Sequence, residues 1–245
     1  MEALKELFDT YGRQARLQPA LFTLGPMILT VVVWVPSVYS LAATITSLAA
    51  TFGVVAFFAN WARARGRAAE QRLYIKWGGR PTTIWLRHSD SNLDEITKRR
   101  YHSFLETRIP EWHAPTGEEE KENGVGANAR YDSAVKWLLE YTRNQQLFPL
   151  VFKELVAYGF RRNLYAMKAI GLLIVMLSIV TNIFLYSLFP SKISLVLVLF
   201  ALGVALCFLI SWIFIIRKKW VKDAADGYAR ALLSSCESRT INIPS

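Results

Sequence analysis

Two stretches of this chain carry almost no charge, and the rest is read around them. Leu17 to Ala62 is 46 residues without Lys, Arg, Asp or Glu, and Ala169 to Ile216 is 48 residues whose single charge is Lys192. A bilayer-spanning helix takes about 20 apolar residues, so each stretch is long enough for two crossings and too long for one. The pattern predicts crossings near residues 20–38, 40–60, 169–189 and 193–216. The first pair turns at Pro36-Ser37 and the second at Phe189-Pro190-Ser191-Lys192, both too short to hold a domain. Pro26 is expected to kink the first helix.

Between the apolar stretches the periodicity changes to that of amphipathic helices. The second crossing is expected to run on through Arg63, Arg65, Arg67, Arg72 and Lys76 and to stop at Gly78-Gly79, since glycine ends helices well. Gly78-Gly79-Arg80-Pro81-Thr82-Thr83 then reads as a turn followed by a short strand or extended segment through His88. Ser91-x-x-Asp94 resembles a helix cap, with Leu93, Ile96, Arg100, Phe104 and Arg108 at helical spacing and Pro110 as the stop. Residues 114–130 read as a polar loop in which Thr116-x-x-Glu119 caps a short turn. Tyr131, Ala134, Val135, Leu138, Leu139 and Thr142 mark one helix face, and Pro149 suits the first turn of a helix carrying Phe152, Leu155, Val156 and Phe160 into the third crossing. Both end segments, Met1–Arg16 and Lys219–Ser235, look amphipathic and suit the membrane surface or a subunit contact.

The fold class is therefore an all-α integral membrane protein, with four transmembrane helices in two hairpins and a mostly helical domain between them. The segments are an amphipathic arm over 1–18, hairpins over 19–61 and 169–216, a basic domain over 62–168 and a C-terminal helix and tail over 217–245. The first apolar stretch is not a removable signal, which has one apolar run of about 7–15 residues behind a positive start.

Charge sets the orientation. Residues 59–168 hold 19 Lys and Arg, the tail from 217 holds six and the N-terminal arm three, against one in the two hairpin turns. The positive-inside rule puts both termini and the central domain on the cytoplasmic side, with Trp61, Trp212, Trp220 and Tyr158 near interface depth. With almost nothing outside, the expected signal is intracellular, in the membrane or a partner subunit. The net charge of +10 suits anionic lipid, with Arg63 to Lys76 as a headgroup collar, or the wall of an anion-binding vestibule.

Catalysis finds no support. His88, His102 and His113 lack metal-ligand spacing, Cys207 and Cys236 are too few for a framework, and the glycines at 78 and 79 are not followed by the Gly-Lys-Ser/Thr of a P-loop. No cofactor or metal is expected. Thr97-Lys98-Arg99-Arg100-Tyr101-His102 interleaves cations with an aromatic, a pattern shared by solvated helix faces and by surfaces that neutralise phosphates while stacking bases. The phosphate candidates are Arg65, Arg72, Arg80, Arg87, Lys98, Arg99 and Arg100, and the stacking candidates Trp77, Trp85 and Tyr101. Ser40, Thr44, Ser47 and Thr51, spaced 4, 3 and 4, share one helix face and serve either helix packing or a pore lining. Four uncharged helices are too few to enclose water, so a pore requires a homo-oligomer.

Three motifs together resemble a known family. Gly78-Gly79-Arg80-Pro81-Thr82-Thr83 with Leu86-Arg87-His88-Ser89-Asp90, then Tyr131-Asp132-Ser133-Ala134-Val135-Lys136-Trp137-Leu138-Leu139, then Tyr158-Gly159-Phe160-Arg161-Arg162-Asn163-Leu164 are similar to the membrane effectors of the Hailong antiphage defence system. The resemblance implies an oligomeric channel that depolarises the infected cell, paired with a nucleotidyltransferase that makes single-stranded DNA oligomers. Such an oligomer would bind the basic domain and hold the channel closed. The alternative reading is a membrane scaffold that recruits lipid or a cytoplasmic partner.

Overall fold

The structure, a computed structural model, describes residues 9–35 and 41–238, with side chains omitted over 41–49. Every regular element among them is helical. Helix α1 (Thr10–Trp34) contains one π turn, Arg13–Leu17; α2 (Leu41–Trp77) runs for 37 residues; α3 (Pro81–Ile84) is a single turn. They are followed by α4 (Glu95–Arg108), α5 (Gly117–Glu122), α6 (Gly124–Tyr141) and α7 (Pro149–Ala166). Helices α8 (Lys168–Leu188), α9 (Leu195–Ile215, ending in the π turn Ser211–Ile215) and α10 (Lys218–Ser234) come next, and a 3-10 turn, Ser235–Glu237, ends the described residues' regular structure.

Three of these, α1, α8 and α9, are long and apolar enough to cross a membrane. Residues 1–8 of the expected N-terminal arm lie outside the described residues; its remainder is helical and continuous with the first crossing. Asp9 caps α1, its side chain accepting from the Gly12 amide, and the helix runs unbroken through Pro26. The expected Pro36-Ser37 turn, Ser40, and the side chains of Thr44 and Ser47 lie outside the described residues.

The chain divides into a membrane unit, residues 1–70 with 159–221, and a polar unit, residues 71–158 with 222–245. In the membrane unit α1 packs on both α8 and α9. Gly171 makes room for Trp212, whose ring atoms would lie 2.1–2.7 Å from a Cβ there, and Ala62, Leu164, Met167, Val175 and Ile216 close around the same ring. Trp212 is thus a core residue of the helix packing, and Tyr158 is buried in the polar unit, stacked on Tyr228. Trp61 and Trp220 are half-buried, each under a guanidinium, Arg65 and Arg161. Elsewhere α8 and α9 present Leu173, Met176, Leu177, Leu199, Phe200 and Phe214 outward, as lipid-facing helices do.

Asn182 and Ser178 make the polar contacts between α1 and α8. The Asn182 amide donates to Thr30 Oγ1 (2.8 Å), its carbonyl accepts from Trp34 Nε1 (3.0 Å), and Ser178 Oγ lies 2.7 Å from Thr30 Oγ1. Ser178 Oγ and Thr30 Oγ1 both donate to the Pro26 carbonyl. Such bonds hold helices together where hydrophobicity cannot discriminate between partners.

The polar unit has its own core: Trp85, Leu86, Tyr101, Leu105, Tyr131, Leu138 and, from α10, Ala229, Leu232 and Leu233. The C-terminal helix, expected on the membrane or at a subunit contact, is instead part of this core. Two further expectations are corrected. The segment after Arg80 is not extended: Pro81 opens a helical turn, and residues 81–86 are all buried, so Thr82, Thr83 and Ile84 pack as core without a neighbouring strand. Nor are residues 114–130 a loop. The Thr116–Glu119 capping box opens α5, and Asn123 accepts from the Gly126 amide to start α6 two turns earlier than periodicity showed. Helix α4 begins at Glu95, capped by Asp94 rather than Ser91.

Candidate functional site

The turn after α2 brings the usable sequence candidates together. Trp77 ends the helix, and Gly78 (φ 78°) and Gly79 (φ 139°) take conformations that side chains rarely adopt. Behind them Arg80 lies over the Tyr74 ring, 5.7 Å from its centre; Tyr74 meets Trp77 edge-on; and Lys222 of α10 covers Trp77 at 5.6 Å. Arg87 closes the corner: Nη2 donates to the Gly78 carbonyl (3.3 Å) and Nε to Asn128 Oδ1 (2.7 Å). A guanidinium held at two points is pre-organised for an anion.

A cleft of about 410 Å³ opens beside Arg87, lined also by His88, Ser89, Gly117, Glu120, Lys121 and Asn128. Its loop, Leu86 to Asp90, is pinned from several sides. Glu120 accepts from the backbone amides of His88 and Ser89 and from Tyr131 Oη, His102 Nε2 contacts the Leu86 carbonyl (2.8 Å), and Lys98 Nζ donates to the carbonyls of Asp90 (2.7 Å) and His88 (3.4 Å).

These contacts reassign several candidates. Lys98 is fully buried, Trp85 is 1% exposed and Tyr101 5%, so none of the three is a surface ligand. Each lies on the inward stripe of its element; burial pushes the Tyr101 hydroxyl up to about 12. Arg99 and Arg100 are exposed, but Arg100 Nε is bonded to Glu237 at 2.6 Å. Arg65 and Arg72 are exposed on α2, Arg65 in the membrane unit. Thr51 is half-buried on α2. Tyr74, Asn128 and Lys222 were not legible as site residues, because their proximity depends on where α6 and α10 pack.

Charge is also redistributed. The polar unit holds sixteen Lys and Arg against fifteen Asp and Glu, a net +1, while the membrane unit holds thirteen against four, a net +9. The segment 62–168 is basic, with 19 Lys and Arg against 13 Asp and Glu, but most of its excess lies at its two ends, 62–70 and 159–168, which belong to the membrane unit.

The same loop predicts acid sensitivity. Burial holds His102 below its ordinary 6.5, opposed by the Leu86 carbonyl and reinforced by His88 and Lys98. Burial would raise the Glu120 carboxyl, but bonds from Tyr131 and the His88 and Ser89 amides outweigh it and leave it below 4.5. Below pH 6.5 the unfolded chain takes up a proton that folded His102 refuses, so stability is full above that pH and falls as acid is added; Glu120 extends the loss below pH 4.5. Thermal unfolding midpoints that decline between pH 7.5 and 5, with a shallower decline in His102→Gln, are the expected result.

Comparison of the chain with protein families, with curated proteins and with solved structures finds no match.

Proposed function

We propose that this protein is an oligomeric membrane effector of bacterial antiphage defence, an ion pathway gated by an oligonucleotide, such as a single-stranded DNA oligomer, bound to the polar unit. The observation that supports it is the corner at Gly78–Arg80: two guanidiniums, one of them doubly anchored, beside the rings of Tyr74 and Trp77 and under Lys222. Phosphates suit the cations and bases suit the rings. The corner also stands at the C-terminal stop of α2, so a ligand there bears directly on that helix. In this reading Leu41 to Ala62, free of charge over 22 residues, is the fourth crossing, α2 lines the pathway through Thr44 and Thr51, and both termini are cytoplasmic in the inner membrane.

Purified protein in liposomes should pass ions, and bulky replacements at Thr44 or Thr51 should change the flux. Binding of a short single-stranded DNA should weaken with salt at a log–log slope of about −1.4, two phosphates being neutralised by Arg80 and Arg87, since Lys222 is already paired with Asp226. Reversal of Arg80 and Arg87 should cost at least about tenfold in affinity, reversal of Arg99 much less. No binding at low salt sinks the ligand, and no flux sinks the pathway. A second reading, a scaffold seated on lipid that recruits a partner such as a co-encoded nucleotidyltransferase, is favoured by the net +9 of the membrane unit.

A further inference from the structure

We propose that one end of the membrane unit, formed by Arg65, Arg161, Lys168, Arg217, Lys218 and Lys219, is a binding site for the headgroups of anionic phospholipids. Helix α8 opens at Lys168 where α9 has just ended, and Lys168 Nζ donates to the Ile216 carbonyl at 2.8 Å. Arg65 Nε reaches the Ala166 carbonyl at 3.5 Å, and Arg161 Nη1 the Trp220 carbonyl at 3.1 Å. Cations from α2, α7 and α8 are thereby held on backbone at helix ends, next to the exposed run Arg217 to Lys219.

Carbonyls orient these cations without cancelling their charge. Among the described residues none of the six forms an ion pair. The described carboxylates of this unit are otherwise engaged: Asp9 caps α1 and Glu70 is bonded to Arg162 at 2.9 Å. Six like charges without a counter-charge call for an anion from outside the chain.

The surroundings say which anion. Leu173, Met176 and Leu177 follow Lys168 on the outside of α8, and Ile213, Phe214 and Ile215 precede Arg217 on α9, both helices apolar enough to cross a bilayer. Trp61 and Trp220, under Arg65 and Arg161, are amphipathic rings of the kind that sits at headgroup depth. A phosphate tethered to acyl chains satisfies the cations and covers the apolar flank together, which a soluble anion does not. Basic clusters at the ends of membrane helices attract acidic lipid by about 1 kcal/mol per charge.

The test uses the full chain in nanodiscs of phosphatidylcholine with phosphatidylglycerol, with retained lipid identified by native mass spectrometry. Phosphatidylglycerol should be retained preferentially. Its preference should fall about fivefold for each cation removed and about a hundredfold in the Arg217→Gln, Lys218→Gln, Lys219→Gln triple, whose side chains are exposed and should leave folding intact. Lys136→Gln, on the polar unit, should change nothing. Equal retention of the two lipids, an unchanged preference in the triple, or displacement of phosphatidylglycerol by inorganic phosphate would each overturn the proposal. It requires only that α8 and α9 lie in lipid, and so stands or falls separately from gating by an oligonucleotide.

Discussion

Lys98→Met is expected to destabilise the polar unit by about 3 kcal/mol. A lysine in a run of three cations beside tyrosine reads as a surface ligand, and its loss would then weaken phosphate binding in a stable protein. The fully buried ammonium argues for the other outcome. It donates to the Asp90 and His88 carbonyls and pairs with Glu95 Oε1 at 3.2 Å. Methionine fills the volume but leaves two backbone acceptors without their donor, and each charge-assisted bond is worth about 1.5–3 kcal/mol. The loop from Leu86 to Asp90, which positions Arg87, should loosen with it. Chemical denaturation should show the loss, and hydrogen exchange should show it concentrated at residues 86–90. A fully stable Lys98→Met protein would return this residue to the surface.

Gly171→Ala should be nearly as costly in the membrane unit, about 2–3 kcal/mol from a single added methyl group. Three atoms of the Trp212 ring lie within 2.7 Å of where that Cβ would stand, and the ring is fully buried with its own neighbours fixed around it. A rigid indole cannot yield as the tip of a flexible side chain can, so α8 must move away from the π turn at Ser211–Ile215. Unfolding in detergent should show the loss, and Trp212→Phe in the same chain should restore part of it, because the smaller ring vacates the contested space. The exposed Gly203 has nothing near it, and Ala there should be neutral.

How far the fold was legible follows from what each signal depends on. The apolar runs gave α8 and α9 to within about two residues, because burial in lipid demands uninterrupted apolar length. The glycine stop at 78–79, the Thr116–Glu119 box and Pro149 at a helix start were also legible, since each satisfies a local backbone requirement. Residues 81–84 misled because β-branched residues suit a strand and a tightly packed turn alike. The start of α6 was hidden because Gly124 and Gly126 are poor helix formers that a cap and packing on α3 and α5 override. Of the candidates picked by residue type, Arg80, Arg87 and Trp77 lie together at the α2 stop, whereas Lys98, Trp85 and Tyr101 are buried, because composition does not say which face of a helix turns inward.

The linear chain by itself determined that apolar helices long enough to span a bilayer flank a helical polar segment, since hydrophobic length is a property of consecutive residues. Only the packed molecule decided that α10 completes the polar core, that Asn182 ties α8 to α1, and that the excess positive charge gathers in the membrane unit. Those outcomes depend on residues up to about 150 positions apart meeting in space, and no local pattern encodes such a meeting.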